Sequence, residues 1–112
     1  MKSVTLGGGP YSLVHVPGGY GDSGPMFVSL EFIEGDKGWR AQPKGDPGEI
    51  HVGCVVKCGS ITGRSYSAQD WWQTSEVMEI LEVNDEGDRR TVLFKTRNST
   101  YKATGYLRRK TS

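Results

Sequence analysis

Ser67-Ala68-Gln69-Asp70-Trp71-Trp72-Gln73-Thr74-Ser75 opens the stretch that decides the fold, which ends beyond Asn98-Ser99-Thr100-Tyr101 at Tyr106. Within it, Val77, Met78, Ile80, Leu81 and Val83 fit a helical stripe after a Ser75 cap as well as they fit a strand. The strand is the better reading. The segment follows a tryptophan-threonine run and ends in Asn84-Asp85-Glu86-Gly87-Asp88, a hairpin-type loop, after which Thr91-Val92-Leu93-Phe94-Lys95-Thr96 is extended. A second tight turn at Arg97-Asn98-Ser99 returns the chain through Thr100 to Leu107. The expectation is a C-terminal three-stranded meander. Adjacent strand residues point to opposite faces, so one of Trp71 and Trp72 enters the core and the other faces solvent, a groove or another subunit.

Working outward, the 112 residues suffice for one domain with a modest core, and 16 glycines and five prolines favour short elements joined by many turns. The fold class expected is all-β: a small antiparallel sheet, or an SH3-like or OB-like barrel, spanning residues 1–112. Its first 25 residues are glycine-rich and partly mobile in this reading, and residues 108–112 form a frayed basic tail. Tyr11 to Val16 reads as a strand between glycine clusters. Met26 to Ile33 reads as a strong strand with Met26, Val28, Leu30 and Phe32 on one face and Phe27, Ser29, Glu31 and Ile33 on the other. Trp39 to Gln42 is a short extended piece and Pro43 to Gly48 a loop. Glu49 to Cys58 alternates as one strand, with Ile50, Val52, Cys54 and Val56 facing one way. Two cysteines four apart on one strand lie about 13 Å apart, beyond disulfide reach, so both read as reduced and buried.

Several chemistries are disfavoured. Gly21-Asp22-Ser23-Gly24-Pro25 matches the nucleophile signature of chymotrypsin-like proteases over five residues, but 112 residues cannot build the two barrels that hold such a triad. The glycine clusters lack the ending of a phosphate loop. A zinc site from His15, His51, Cys54 and Cys58 needs ligands from both faces of one strand and lacks compact ligand pairs. No metal, no cofactor and no enzymatic activity are expected. No apolar run is long enough to cross a bilayer and the N-terminus lacks a secretion signal, so the expectation is a cytoplasmic protein without membrane contact.

Charge is segregated although the net value is only +1. From Asp70 to Asp88 there are seven acidic residues and no lysine or arginine; from Arg89 onward there are eight basic residues and no acid. The switch falls at the hairpin turn, so acidic and basic strands lie side by side, each opposite-charge pair contributing about 0.2–1 kcal/mol. The functional alternative makes Lys95, Arg97, Lys102, Arg108 and Arg109 a basic face with Tyr101, suited to nucleic acid or nucleotide.

The run from Asp70 to Leu81, followed by Phe94-Lys95-Thr96-Arg97-Asn98-Ser99-Thr100-Tyr101, resembles the C-terminal half of small uncharacterised proteins carried by phages and other mobile elements. The resemblance covers about a third of the chain. It implies a compact β fold and an accessory protein.

Aromatic residues exceed what a small core must hold. Trp71, Trp72, Trp39, Phe27 and Tyr66 are the candidate contact residues, and a homo-oligomer assembled through them is the favoured function. Nucleic-acid or nucleotide binding at the basic hairpin is the alternative.

Overall fold

A computed structural model describes residues 2–59 and 71–107, with Trp71 described in its backbone alone. The described residues are all-β. Eleven strands are present: β1 (Ser3–Thr5), β2 (Gly8–Val16), β3 (Gly21–Gly24), β4 (Met26–Gly35), β5 (Gly38–Pro43), β6 (Glu49–His51), β7 (Val55–Gly59), β8 (Trp71–Gln73), β9 (Val77–Glu86), β10 (Arg89–Thr96) and β11 (Thr100–Tyr106). They form a five-stranded antiparallel sheet ordered β3-β2-β11-β10-β9, a four-stranded sheet ordered β5-β4-β7-β8, and the small pair β1-β6. None of these sheets closes into a barrel, so the open-sheet form of the expectation is the one that holds.

The meander is present as β9-β10-β11. Its first turn is the two-residue Gly87-Asp88, flanked by the pair Glu86 and Arg89, and Gly87 supplies the positive φ of 61° that the turn requires. In the second turn, Thr96 Oγ1 donates to the Ser99 carbonyl at 3.0 Å and accepts from the Ser99 N–H at 3.2 Å. The glycine-rich first quarter supplies β1 to β3, and β2 lies inside the larger sheet between β3 and β11. At Gly21 the chain passes so close to the Leu13 carbonyl that no side chain fits there. β3 and β4 form one extended run interrupted at Pro25, where the chain leaves the first sheet for the second.

Between the sheets lies a core of Leu6, Tyr11, Leu13, Phe27, Ile50, Val56, Cys58, Val77, Val92, Phe94, Tyr101 and Ala103. Buried Thr74 continues β8: its N–H donates to the Val56 carbonyl at 2.8 Å and its Oγ1 accepts from the Val56 N–H at 3.0 Å. Ser29, also buried, donates to the Glu49 carbonyl at 2.6 Å.

One expected strand is two. The run from Glu49 to Cys58 breaks after His51, where Gly53 takes φ 93° and the Cys54 N–H turns back to the His51 carbonyl. Cys54 therefore precedes β7 rather than sharing a strand with Cys58, and Val52 is exposed. Alternation of side chains could not reveal the turn, because a tight turn of this kind preserves an apolar-polar pattern across itself.

Candidate assembly surface

The β4–β5 hairpin is the most exposed strand pair in the described residues. Its turn is Asp36-Lys37, and its ladder runs without irregularity from Gly35 opposite Gly38 through Glu34–Trp39, Ile33–Arg40, Phe32–Ala41 and Glu31–Gln42 to Leu30–Pro43. Directly opposed residues share a face, and faces alternate along a strand. One face therefore carries Leu30, Phe32, Trp39, Ala41 and Pro43 beside the single charge of Glu34. Trp39 is 68% exposed and Phe32 47%, and every residue of β5 is exposed. The other face carries Glu31, Gln42 and Arg40 beside half-buried Ile33: Glu31 accepts from Gln42 Nε2 at 2.9 Å and lies 3.6 Å from Lys44 Nζ.

Trp39 thus stands at the surface as expected, whereas Phe27 does not. Phe27 is fully buried and packs on Tyr11 with ring centroids 5.4 Å apart. The reason is the phase of β4: Phe27 and Ser29 face the other sheet, and Phe32, on the opposite face and farther toward the hairpin turn, is the exposed aromatic. Tyr66 lies outside the described residues, as does the side chain of Trp71. Trp72 is half-buried against the core; its Nε1 donates to Tyr101 Oη at 3.2 Å, and Tyr20 lies against it at 5.4 Å between centroids. It is a joint between the two sheets.

The proposed basic face is divided. Tyr101 belongs to the core and points away from Lys95 and Lys102, because β11 turns Tyr101 and Ala103 inward and Lys102 outward. Arg97 pairs with Glu76 at 3.0 Å, Arg90 with Asp85 at 2.7 Å and Arg89 with Glu86 at 3.4 Å. Lys95 sits opposite Glu79 in the ladder, and Lys102 lines a shallow recess with Glu82, Asn84, Thr91 and Leu93. Carboxylates alternate with the cations, as adjacent acidic and basic strands dictate. Arg108 and Arg109 lie outside the described residues.

Cys54 and Cys58 are free and buried. Burial pushes the Cys58 thiol up to about 12, with the Asp22 carboxylate adding to the effect; burial, followed by the Glu31 charge, also raises Cys54. Both are poor nucleophiles. His51 Nε2 lies 2.7 Å from Glu49 Oε2, while His15 stacks on Tyr20 at 4.5 Å and meets the edge of Tyr101 at 5.5 Å. Among the described residues no group of three or more His, Cys, Asp or Glu is placed to hold a metal.

Two of the exposed apolar residues that the sequence reading missed lie on β9. Met78 and Leu81 sit where the β9–β10 register slips, so each is the extra residue of a bulge. A bulge leaves no mark in a sequence pattern that already fits either a strand or a helix. No family model, no curated protein and no solved structure matches this chain.

Proposed function

We propose that this chain is a non-enzymatic binding and assembly protein that associates with copies of itself through the aromatic face of the β4–β5 hairpin. The observation that carries the reading is that Trp39 and Phe32, both exposed, lie diagonally on one face of a regular hairpin. Exposed large aromatics on a rigid pair of strands supply contact area at little entropic cost, the property that makes such residues dominate protein interfaces. The two thiols, buried and raised by burial, are poor nucleophiles, which is in keeping with a binding role. The resemblance read from Asp70 to Leu81 and Phe94 to Tyr101 is in keeping with an accessory role.

Nucleic-acid or nucleotide binding at the C-terminal hairpin is the lesser reading, since the carboxylates of Glu76, Glu79, Glu82 and Glu86 stand among the cations a phosphate would need. Nor is any helix of the described residues long and apolar enough to cross a membrane.

Light scattering after size exclusion, at low and at high salt, tests the choice. A mass that is the same multiple of 12.3 kDa at both supports the apolar assembly surface. A monomer that co-elutes with nucleic acid at low salt and sheds it at high salt supports the basic hairpin.

A further inference from the structure

Among the described residues the two larger sheets have four edges, which are not equivalent. β3 has four residues and β8 three, and β3 lies beside β7 and β8. The β9 edge is ten residues long but carries two bulges and the charges of Glu79, Glu82, Asp85 and Glu86, the devices by which natural edges resist pairing. β5 is different: six residues, no bulge, and Arg40 as its one charge.

The backbone of β5 is also correctly phased to pair. The Lys44 N–H donates to the Ser29 carbonyl at 2.8 Å, so the pairs bonded within the hairpin are Glu31–Gln42, Ile33–Arg40 and Gly35–Gly38. The N–H groups of Trp39 and Ala41, and the carbonyls of Trp39, Ala41 and Pro43, then point away from β4.

From this edge we infer that a second copy of this chain docks by adding its own β5, antiparallel, about a two-fold axis at Ala41, joining two four-stranded sheets into one of eight strands. The inference rests on the self-association proposed above and specifies its geometry. An axis at Arg40 would set two guanidinium groups opposite each other, and an axis at Trp39 would leave little overlap. With Ala41 opposite itself, the outward N–H and carbonyl of each Ala41 bond to the other copy, and each Trp39 N–H reaches the carbonyl of the second copy's Pro43. The missing N–H of Pro43 costs one bond per half. Trp39 then packs across Pro43 of the second copy, and the strip of Phe32, Ala41, Pro43 and Trp39 continues over the junction on one face. On the other face Arg40 comes opposite Gln42 of the second copy, whose amide is already held by Glu31, so a cation meets a carboxylate.

The test uses Ala41 twice. Ala41→Cys places two thiols on the axis with Cα atoms about 5.5 Å apart, and a short bis-maleimide should link them within minutes. Asp36→Cys, about 33 Å from its own equivalent by strand rise, should link at least tenfold more slowly. Cys54 and Cys58 are buried and stay out of the reaction. Ala41→Pro removes the outward donor without touching a bond to β4 and should give a monomer of unchanged far-ultraviolet dichroism, while Ala41→Ser keeps the dimer. A dimer that survives Ala41→Pro but is lost in Trp39→Ser overturns the strand pairing and leaves the aromatic self-association standing, as does equal cross-linking at positions 36 and 41. A wild-type chain that stays monomeric, whether or not it takes up an extended peptide along β5, removes the second copy and the self-association reading together.

Discussion

Trp72 Nε1 donates to Tyr101 Oη across 3.2 Å, and this bond joins β8 of the smaller sheet to β11 of the larger. Tyr101 stacks in turn on Phe94, with centroids 5.9 Å apart, so the joint reaches the middle of the core. The tryptophan is thus a structural element of the joint between the two sheets.

Trp72→Ala should destabilise the fold by roughly 3 kcal/mol, through the space left and the loss of the Tyr101 partner. Trp72→Phe should recover about half of that, since it restores volume and not the bond. Chemical denaturation followed by far-ultraviolet dichroism measures both. Equal stability of Trp72→Ala and wild type would show that the sheets are held together without this joint.

Trp39→Ser has the opposite signature. Trp39 is mostly exposed, so the free energy of unfolding at low protein concentration should change by less than about 0.5 kcal/mol. Self-association should weaken at least tenfold. Light scattering over a concentration series reads the second effect, and a mass unchanged from wild type would exclude Trp39 from the contact.

Thr74→Val keeps the shape of a buried residue and removes the acceptor for the Val56 N–H. The orphaned donor should cost about 1–3 kcal/mol. Hydrogen exchange at Val56 is the specific readout: its amide should lose protection in the variant before its β7 neighbours do.

The ion pair of Asp85 and Arg90 sets an acid limit. The guanidinium hydrogen bonds hold the Asp85 carboxyl below its ordinary 3.8. A carboxylate whose folded pKa is depressed adds stability above the unfolded value, and that contribution is lost as pH falls through the folded one. Asp85→Asn should therefore lower stability at pH 7 and flatten the decline below pH 3.8, so that the variant and the wild type converge once the carboxyl is protonated. An unaltered acid limb in the variant would count against the pair.

Cys58 sets the alkaline limit by the same linkage with the sign reversed. Its thiol is raised by burial from 9.0 to about 12, so the folded chain keeps a proton that the unfolded chain gives up. Its contribution is whole below pH 9.0 and is lost as pH rises toward about 12. Cys58→Ala should reduce that alkaline loss. In the native chain at pH 8 neither cysteine should react with a thiol reagent until the protein unfolds, which a stopped-flow titration in denaturant reads directly.

The sequence by itself determined the local order: the all-β class, the meander from Val77 to Tyr106, its two turns and the interleaving of acid with base along β9 and β10. These are set by near neighbours, through alternation, turn-forming residues and charges that face each other once a hairpin closes. Trp39 was legible too, as one of the aromatic residues in excess of what a small core must hold. What lies opposite each strand across the sandwich was decided only in the tertiary structure. Phe27 and Phe32 sit on the same strand with apolar neighbours on both faces, and nothing local says which phase meets the second sheet; the larger sheet takes Phe27 and leaves Phe32 outside. Trp72 becomes a joint because Tyr101, 29 positions away, arrives within hydrogen-bond distance. The open edge of β5 and the bulged edge of β9 are likewise properties of strand order, which depends on contacts between distant segments and on where the chain crosses from one sheet to the other at Pro25.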